Sequence, residues 1–122
     1  MSTIVTPRRP EILVVDDDEG IRAGIELLLA DGPYAVSYRS DVSGAREAVN
    51  AMSFDLVITD LRLGNESGLD VVRYAKEADA SLPVILMTSF SSMESAIAAL
   101  RLGASEYIIK PFINDEFLHA CT

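Results

Sequence analysis

Five short apolar runs, separated by longer segments, divide the chain at intervals of roughly 20 to 25 residues. Three of these runs, the first, third and fourth, are apolar at nearly every position, which is typical of strands covered on both faces of a parallel sheet. The runs cover residues 12–15, 34–38, 54–59, 84–88 and 107–109. This spacing limits the chain to folds in which strands and longer connecting elements alternate.

The segments between the runs have the periodicity of helices. In four of them, apolar residues recur three or four positions apart and so form one stripe on a helix. The stripes are Ile21, Ile25, Leu28 and Leu29; Val42, Ala45, Val49 and Met52; Leu69, Val72 and Ala75; and Met93, Ala96, Ile97 and Leu100. A Ser91–Glu94 capping box is expected to open the fourth helix. A short fifth helix of about two turns is expected to begin at Asn114.

Alternating strands and helices predict an α/β fold of (βα)5 type, with a parallel sheet and helices on both faces. With 122 residues, the chain has the length of one domain. Residues 1–10 contain two prolines and two arginines without an amphipathic period, so we expect a flexible N-terminal leader. The domain is then expected to occupy residues 11–122.

Charge and composition exclude several classes of function. The 19 acidic and 10 basic residues leave a net charge of −9, which repels the phosphates of nucleic acids and suits divalent cations. Cys121 and His119 are the only cysteine and histidine, so neither an internal disulfide nor a zinc cluster is expected. Because no apolar run approaches the roughly 18 residues of a membrane span, we expect a cytoplasmic protein without membrane contact.

Polar residues follow four of the predicted strands. They are Asp16, Asp17 and Asp18, then Asp60, then Thr88, and finally Lys110 before Pro111. The carboxyl ends of parallel strands meet at one edge, where such sheets bind ligands. Crowded carboxylates repel one another unless a cation lies between them, and oxygen ligands suit Mg²⁺. A single Asp after a strand is also a common turn or cap residue, but the joint occurrence at four strand ends favours a site.

Four segments of the chain resemble the receiver domain of bacterial two-component response regulators. These segments are ILVVDDD (12–18), FDLVITDLRLGNESGLDVV (54–72), LPVILMTSF (82–90) and GASEYIIKPF (103–112), and the resemblance runs from about residue 11 to 118. It implies a flavodoxin-like, doubly wound sheet of five parallel strands in the order 2-1-3-4-5, here with a shortened last helix. The segment of residues 86–112 particularly resembles receivers attached to AAA+ enhancer-binding activators of the nitrogen-regulation type.

The resemblance implies a phosphorylated aspartate and a metal site. Asp60 matches the residue that accepts a phosphoryl group from a sensor histidine kinase. Asp16 and Asp17 match the acidic pair that holds Mg²⁺ together with Asp60 and the backbone carbonyl of Arg62. The run of three aspartates leaves the register open, but the apolar run ends at residue 15, so Asp18 is interpreted as a helix cap.

Further residues match the family's switch and tuning positions. Thr88 and Tyr107 correspond to the pair that moves inward on phosphorylation, and Lys110 to the lysine that pairs with the phosphate. Tyr107 has an alternative interpretation as a half-buried surface aromatic. Arg62 and Phe90 flank the path of the attacking water and offer it no base, which implies slow dephosphorylation; alternatively, both are partner-binding residues.

The resemblance also implies partners and sets the rival interpretations. A receiver would control an output domain beyond this chain, here a transcriptional one, AAA+ and DNA-binding, and could dimerise through the fourth helix, fifth strand and fifth helix. It is not an enzyme beyond its own phosphorylation and slow dephosphorylation.

A dehalogenase-type phosphatase would need an acid at position 62, where Arg62 stands. A degenerate receiver would act only as an interaction module. Gly64 stands where the family commonly has proline, so a more flexible loop is expected.

Overall fold

The structure is a computed structural model that describes residues 9–88 and 93–109. Its elements alternate along the chain as the apolar runs predict. The strands are β1 (Glu11–Val15), β2 (Ala35–Arg39), β3 (Leu56–Asp60), β4 (Arg62–Leu63), β5 (Glu66–Ser67), β6 (Val84–Thr88) and β7 (Glu106–Ile109). The helices are α1 (Glu19–Leu29), α2 (Val42–Ala51), α3 (Gly68–Ala78) and α4 (Met93–Arg101).

Five of the strands form one parallel sheet in the order β2-β1-β3-β6-β7. This order is the predicted 2-1-3-4-5 arrangement, because the short strands β4 and β5 pair only with each other. The flavodoxin-like, doubly wound fold is therefore confirmed. The order reverses beside β1, so β1 and β3 lie at the point where sheets of this type bind their ligands.

Two apolar cores lie on opposite faces of the sheet, since successive strand residues point to opposite sides. In β1, Leu13 and Val15 belong to the core that includes residues of α2 and α3. The alternate residues Ile12 and Val14 belong to the second core, which includes Ile25 of α1. Both faces of the central strands are thus buried, which explains why their runs are apolar at nearly every position.

Helices α1, α2 and α3 each begin at a polar cap residue whose side chain accepts a hydrogen bond from a backbone amide of the first turn. Asp18 accepts hydrogen bonds from Gly20 and Ile21, which confirms its interpretation as a cap of α1. Asp41 caps α2 and Ser67 caps α3 in the same way. Each cap satisfies backbone amides that have no partner inside the helix.

The predicted apolar stripe of the fourth helix is not its buried face. Ile97 is 42% exposed and Leu100 is 63% exposed, whereas Ala99 is buried. The buried side of α4 includes Ala99, and its end is anchored by Leu102, which packs against the larger core. A small residue lets a helix approach its neighbours closely, so periodicity of large side chains alone does not identify the inner face.

One further observation concerns the start of the domain, and several predicted elements lie outside the described residues. The carbonyl of Pro10 accepts a hydrogen bond from Ala35, so regular contacts begin within the predicted leader. The rest of that leader before residue 9, the capping residue Ser91 and the predicted fifth helix lie outside the described residues. None of the helices in the described part of the chain combines the length and the apolar character that crossing a bilayer requires.

Candidate functional site

Asp16 and Asp17 follow β1 directly but differ in their surroundings. Asp16 is fully buried, and its carboxylate accepts a hydrogen bond from the amide of Asp18 at 2.9 Å. Its backbone is held on both sides, by the carbonyl of Arg39 and by the guanidinium of Arg22. Asp17 is exposed, and its Oδ2 accepts a hydrogen bond from the amide of Gly64 at 2.9 Å. The first carboxylate is thus built into the fold, and the second faces solvent.

Asp60 is the last residue of β3 and is half-buried. Its Oδ1 accepts a hydrogen bond from the amide of Arg62 at 3.2 Å, and its backbone carbonyl accepts one from the hydroxyl of Thr59. The next residue, Leu61, donates from its amide to the carbonyl of Met87 in β6. The chain therefore leaves the sheet just after Asp60 with its backbone tied to the neighbouring strand.

The three aspartates at these strand ends form a cluster. Asp16, Asp17 and Asp60 each offer one carboxylate oxygen, and these oxygens all lie within 4.8 Å of one another. All the donors are hard oxygens, and one comes from a fully buried side chain that cannot move away from its neighbours. This donor set fits Mg²⁺, which prefers a few carboxylates together with water.

The loop after Asp60 forms a short hairpin. Arg62 pairs with Ser67 and Leu63 with Glu66 across two antiparallel strands. Gly64 has a φ of +63°, and no non-glycine residue in the described ranges has a positive φ. A positive φ at the first turn position alone is the pattern of a type II′ hairpin turn, which favours glycine there. The amide of Gly64 at the hairpin tip reaches back to Asp17.

Of the remaining residues predicted for the site, Thr88 and Tyr107 lie within the part of the chain that the structure describes. Thr88 ends β6 beside β3 and is fully buried. Tyr107 lies in β7, is half-buried and packs against the larger core. Lys110, Phe90 and the bond between Lys110 and Pro111 lie outside the described residues.

Sequence reasoning missed three contributors to this site. Arg22 holds the backbone carbonyl of Asp16 at 2.7 Å, and no local pattern points to such a contact. Gly68 lies so close to Asp60 that a Cβ would overlap the Asp60 carbonyl oxygen. The Gly64 amide could have been found, since a Gly-Asn pair between two short runs is a hairpin signal.

An acidic cluster at the switch point of a five-stranded doubly wound sheet is the arrangement that the resemblance to receiver domains implies. The model of the response regulator receiver domain matches residues 12–122, and the chain belongs to this family. Members of the family serve as phosphoacceptors in two-component signalling, and the chain has this role.

Curated relatives extend well beyond the matched region. The chain is 38% identical over 107 residues to the transcriptional regulatory protein DltR of Streptococcus agalactiae, covering 88% of this chain and 48% of DltR. It is 38% identical over 105 residues to the transcriptional regulatory protein ZraR of Escherichia coli K12, covering 86% of this chain and 24% of ZraR. The chain thus spans about half or less of the length of these relatives.

Solved structures agree with the fold over nearly the whole chain. A signal receiver domain of an HD-domain-containing protein from Pseudomonas fluorescens Pf-5 has a TM-score of 0.88 at 30% identity, covering 93% of this chain and 92% of that one. A response regulator from Burkholderia pseudomallei with a phosphorylated aspartic acid, a calcium ion and citrate has a TM-score of 0.86 at 27% identity, covering 93% and 66%.

Proposed function

We propose that Asp60 is the phosphoacceptor of this receiver and that Asp16, Asp17 and Asp60 hold Mg²⁺, with the backbone carbonyl of Arg62 as a further ligand. The observation that supports this most is the meeting of three carboxylates within 4.8 Å at the carboxyl edge of the sheet. Asp60 is half-buried and oriented by the Arg62 amide, whereas Asp16 is fully buried and could not reach a donor protein. Asp60 therefore suits the role of nucleophile.

The proposed reaction moves a phosphoryl group from the histidine of a sensor kinase to Asp60. A carboxylate oxygen of Asp60 forms a bond to phosphorus while the bond from phosphorus to the histidine nitrogen breaks, and the imidazole takes up a proton. When bound, Mg²⁺ supplies positive charge against the anions that meet in this step. Thr88 and Lys110 are proposed to contact the remaining phosphoryl oxygens, and Thr88 and Tyr107 to switch together afterwards.

The proposed readout of phosphorylation lies in an output domain outside this chain. DltR and ZraR are named transcriptional regulatory proteins, and both extend beyond the region that this chain matches. These two relatives therefore support a transcriptional output domain. An AAA+ and DNA-binding output, a cytoplasmic location, and dimerisation through α4, β7 and the following segment belong to the same proposal.

Arg62, which is exposed, and Phe90 are proposed to slow the loss of the phosphoryl group, because neither can act as a base towards water.

A beryllofluoride titration tests the proposed function against that of a pure interaction module. The complex mimics an aspartyl phosphate and needs both the metal and the acceptor carboxylate. We expect a bound fluorine signal in ¹⁹F NMR spectra with Mg²⁺, and none in EDTA or with fluoride alone. Absence of the bound signal at saturating Mg²⁺ would contradict the phosphoacceptor role and favour an interaction module.

The substitution Asp17→Asn is expected to weaken Mg²⁺ binding by tenfold or more, because it removes the charge of a direct ligand. Asn still offers an oxygen to the Gly64 amide, so the hydrogen bond at the hairpin tip is retained. In EDTA the melting temperature should stay equal or rise, since one of three neighbouring negative charges is lost.

The matched control for this substitution is Asp18→Asn. It removes a neighbouring charge and keeps a good helix cap, so Mg²⁺ affinity should change by less than about twofold. Calorimetric titrations of both variants measure the affinities. A clearly lower melting temperature of Asp17→Asn in EDTA would indicate a structural role for Asp17 instead of a metal-binding one.

A further inference from the structure

An arginine of α1 is bound to the backbone of the acidic cluster. Nη1 of Arg22 donates a hydrogen bond to the carbonyl oxygen of Asp16 at 2.7 Å. We propose that Arg22 is a positioning residue for the metal site: its guanidinium holds the end of β1, and with it the buried carboxylate of Asp16, in the place where that carboxylate binds Mg²⁺. This role rests on the proposed function, because it concerns the same metal.

Arg22 lies close to the N-terminus of α1, where the helix dipole favours anions over cations. Helical side chains lean towards the N-terminus, so this one reaches back over the first turn to the chain that leaves β1. Its ion-pair partner Glu19 is 93% exposed and lies 3.9 Å from Nη2, whereas the side chain of Arg22 is only 23% exposed. An exposed ion pair contributes little, so the shorter bond to the Asp16 carbonyl is the contact that holds the guanidinium here.

The position of the Asp16 carboxylate depends on the backbone of this residue, because its side chain is fully buried and has no room to change rotamer. The Asp16 amide donates to the carbonyl of Arg39, and the Asp16 carboxylate accepts a hydrogen bond from the Asp18 amide. Both of these partners are backbone groups, whereas the partner of the Asp16 carbonyl is a side chain that a substitution can remove. That carbonyl belongs to the planar peptide unit that leads to Asp17, so Arg22 also fixes the start of the second ligand.

The charge of Arg22 and its hold on the backbone predict opposite effects when the side chain is removed. A cation beside the cluster repels Mg²⁺, so loss of the charge alone would raise the affinity for Mg²⁺. Loss of a group that orients metal ligands typically lowers metal affinity by roughly 10–100-fold. Because Arg22 contacts the backbone of Asp16 and not its carboxylate, we expect a decrease at the lower end, about tenfold. The direction of the change therefore separates positioning from electrostatics.

The test is a calorimetric Mg²⁺ titration of Arg22→Met and of the unaltered protein. Methionine keeps the helix propensity and the apolar stem of arginine but removes the charge and the donors. We expect the dissociation constant to rise about tenfold. Arg22→Gln also lacks the charge and the reach of the guanidinium, and its affinity should fall in the same direction. A dissociation constant equal to or lower than that of the unaltered protein in either variant would overturn the role of Arg22.

Arg39→Met is the matched control for the loss of charge. Arg39 lines the same cavity as Arg22, but its Nη1 donates to the carbonyl of Tyr38. The Arg39 carbonyl that accepts the Asp16 amide belongs to the backbone and stays in the variant. One positive charge is lost while the bond to the Asp16 carbonyl is kept, so Mg²⁺ affinity should change by less than about twofold. Equal losses of affinity in Arg39→Met and Arg22→Met would contradict the positioning role.

Hydrogen exchange in EDTA provides a readout that needs no metal. The Asp18 amide is bonded to the Asp16 carboxylate, so its protection reports on the position of that carboxylate. The Val57 amide lies in the central strand β3 and reports on opening of the whole domain. In Arg22→Met, exchange of the Asp18 amide should accelerate by a larger factor than exchange of the Val57 amide. Equal acceleration of both amides would indicate a general structural role and overturn the proposal.

The unaltered protein separates this proposal from the proposed function. If it binds Mg²⁺ and Arg22→Met binds equally well, the positioning role alone is wrong. If the unaltered protein binds no Mg²⁺, the proposed metal site is wrong, and the role of Arg22 towards it falls as well.

Discussion

The protein with Asp60→Asn is expected to gain no phosphoryl group from acetyl phosphate and Mg²⁺, whereas the unaltered protein gains one. Asp60 is the carboxylate of the cluster that is only half-buried and lies at the end of the central strand β3. An amide is a far poorer nucleophile than a carboxylate and would form no acyl phosphate. Intact-protein mass spectrometry measures the gain directly. The expected effect is complete loss of the phosphorylated species.

The control for this prediction is Asp55→Asn, close to the opposite end of β3. Asp55 is exposed, and its carboxylate accepts a hydrogen bond from the Glu11 amide, which the oxygen of Asn can still accept. This variant carries the same chemical change outside the acidic cluster and should gain one phosphoryl group. If Asp60→Asn gained the same mass as the unaltered protein, another residue would be the acceptor and the site assignment would be wrong.

The second large effect is expected from a single methyl group at the start of α3. In Gly68→Ala, the new Cβ would overlap the carbonyl oxygen of Asp60 and lie 2.8 Å from its carbonyl carbon. These are backbone atoms of a central strand, so the strand end or the helix must move. We expect the free energy of unfolding to fall by about 3 kcal/mol, at the upper end for overpacking, and the phosphorylation rate to fall because Asp60 is displaced.

The matched substitution Gly24→Ala should have the opposite sign. Gly24 lies in the middle of α1, and a Cβ there would meet nothing within 4 Å. Removing a glycine from a helix interior should raise the free energy of unfolding by about 0.5–1 kcal/mol. Urea unfolding curves in EDTA measure both variants without a contribution from metal binding. Similar stabilities of the two variants would show that the close approach of Gly68 to β3 is relaxed at little cost.

Much of the site can be predicted from sequence because it follows from strand positions. Asp16, Asp17 and Asp60 each follow an apolar run, and the carboxyl ends of parallel strands meet at one edge. The cluster of three carboxylates was therefore predictable before any distance was known, and the structure confirms that these oxygens come together. The cap role of Asp18 follows from the same boundary between strand and helix.

Other features depend on contacts between segments that are distant along the chain. The buried face of α4 does not follow from spacing, because Ile97 and Leu100 have the spacing of an inner stripe but are exposed, whereas Ala99 is buried. The contact of Arg22 with the Asp16 carbonyl and the tie of Glu66 to α2 have no counterpart in local periodicity. Such contacts are set by how closely neighbouring elements approach one another.

The pattern of apolar residues by itself determined the five parallel strands, the two-sided burial of β1, β3 and β6, and the edge at which the aspartates gather. It could do so because side-chain alternation and strand polarity are local properties of the chain. Only the tertiary structure decided which carboxylate is buried, that the Gly64 amide meets Asp17, and that Gly68 admits no side chain beside Asp60. These depend on distances between elements, which follow from the packing of the whole domain and not from any one segment.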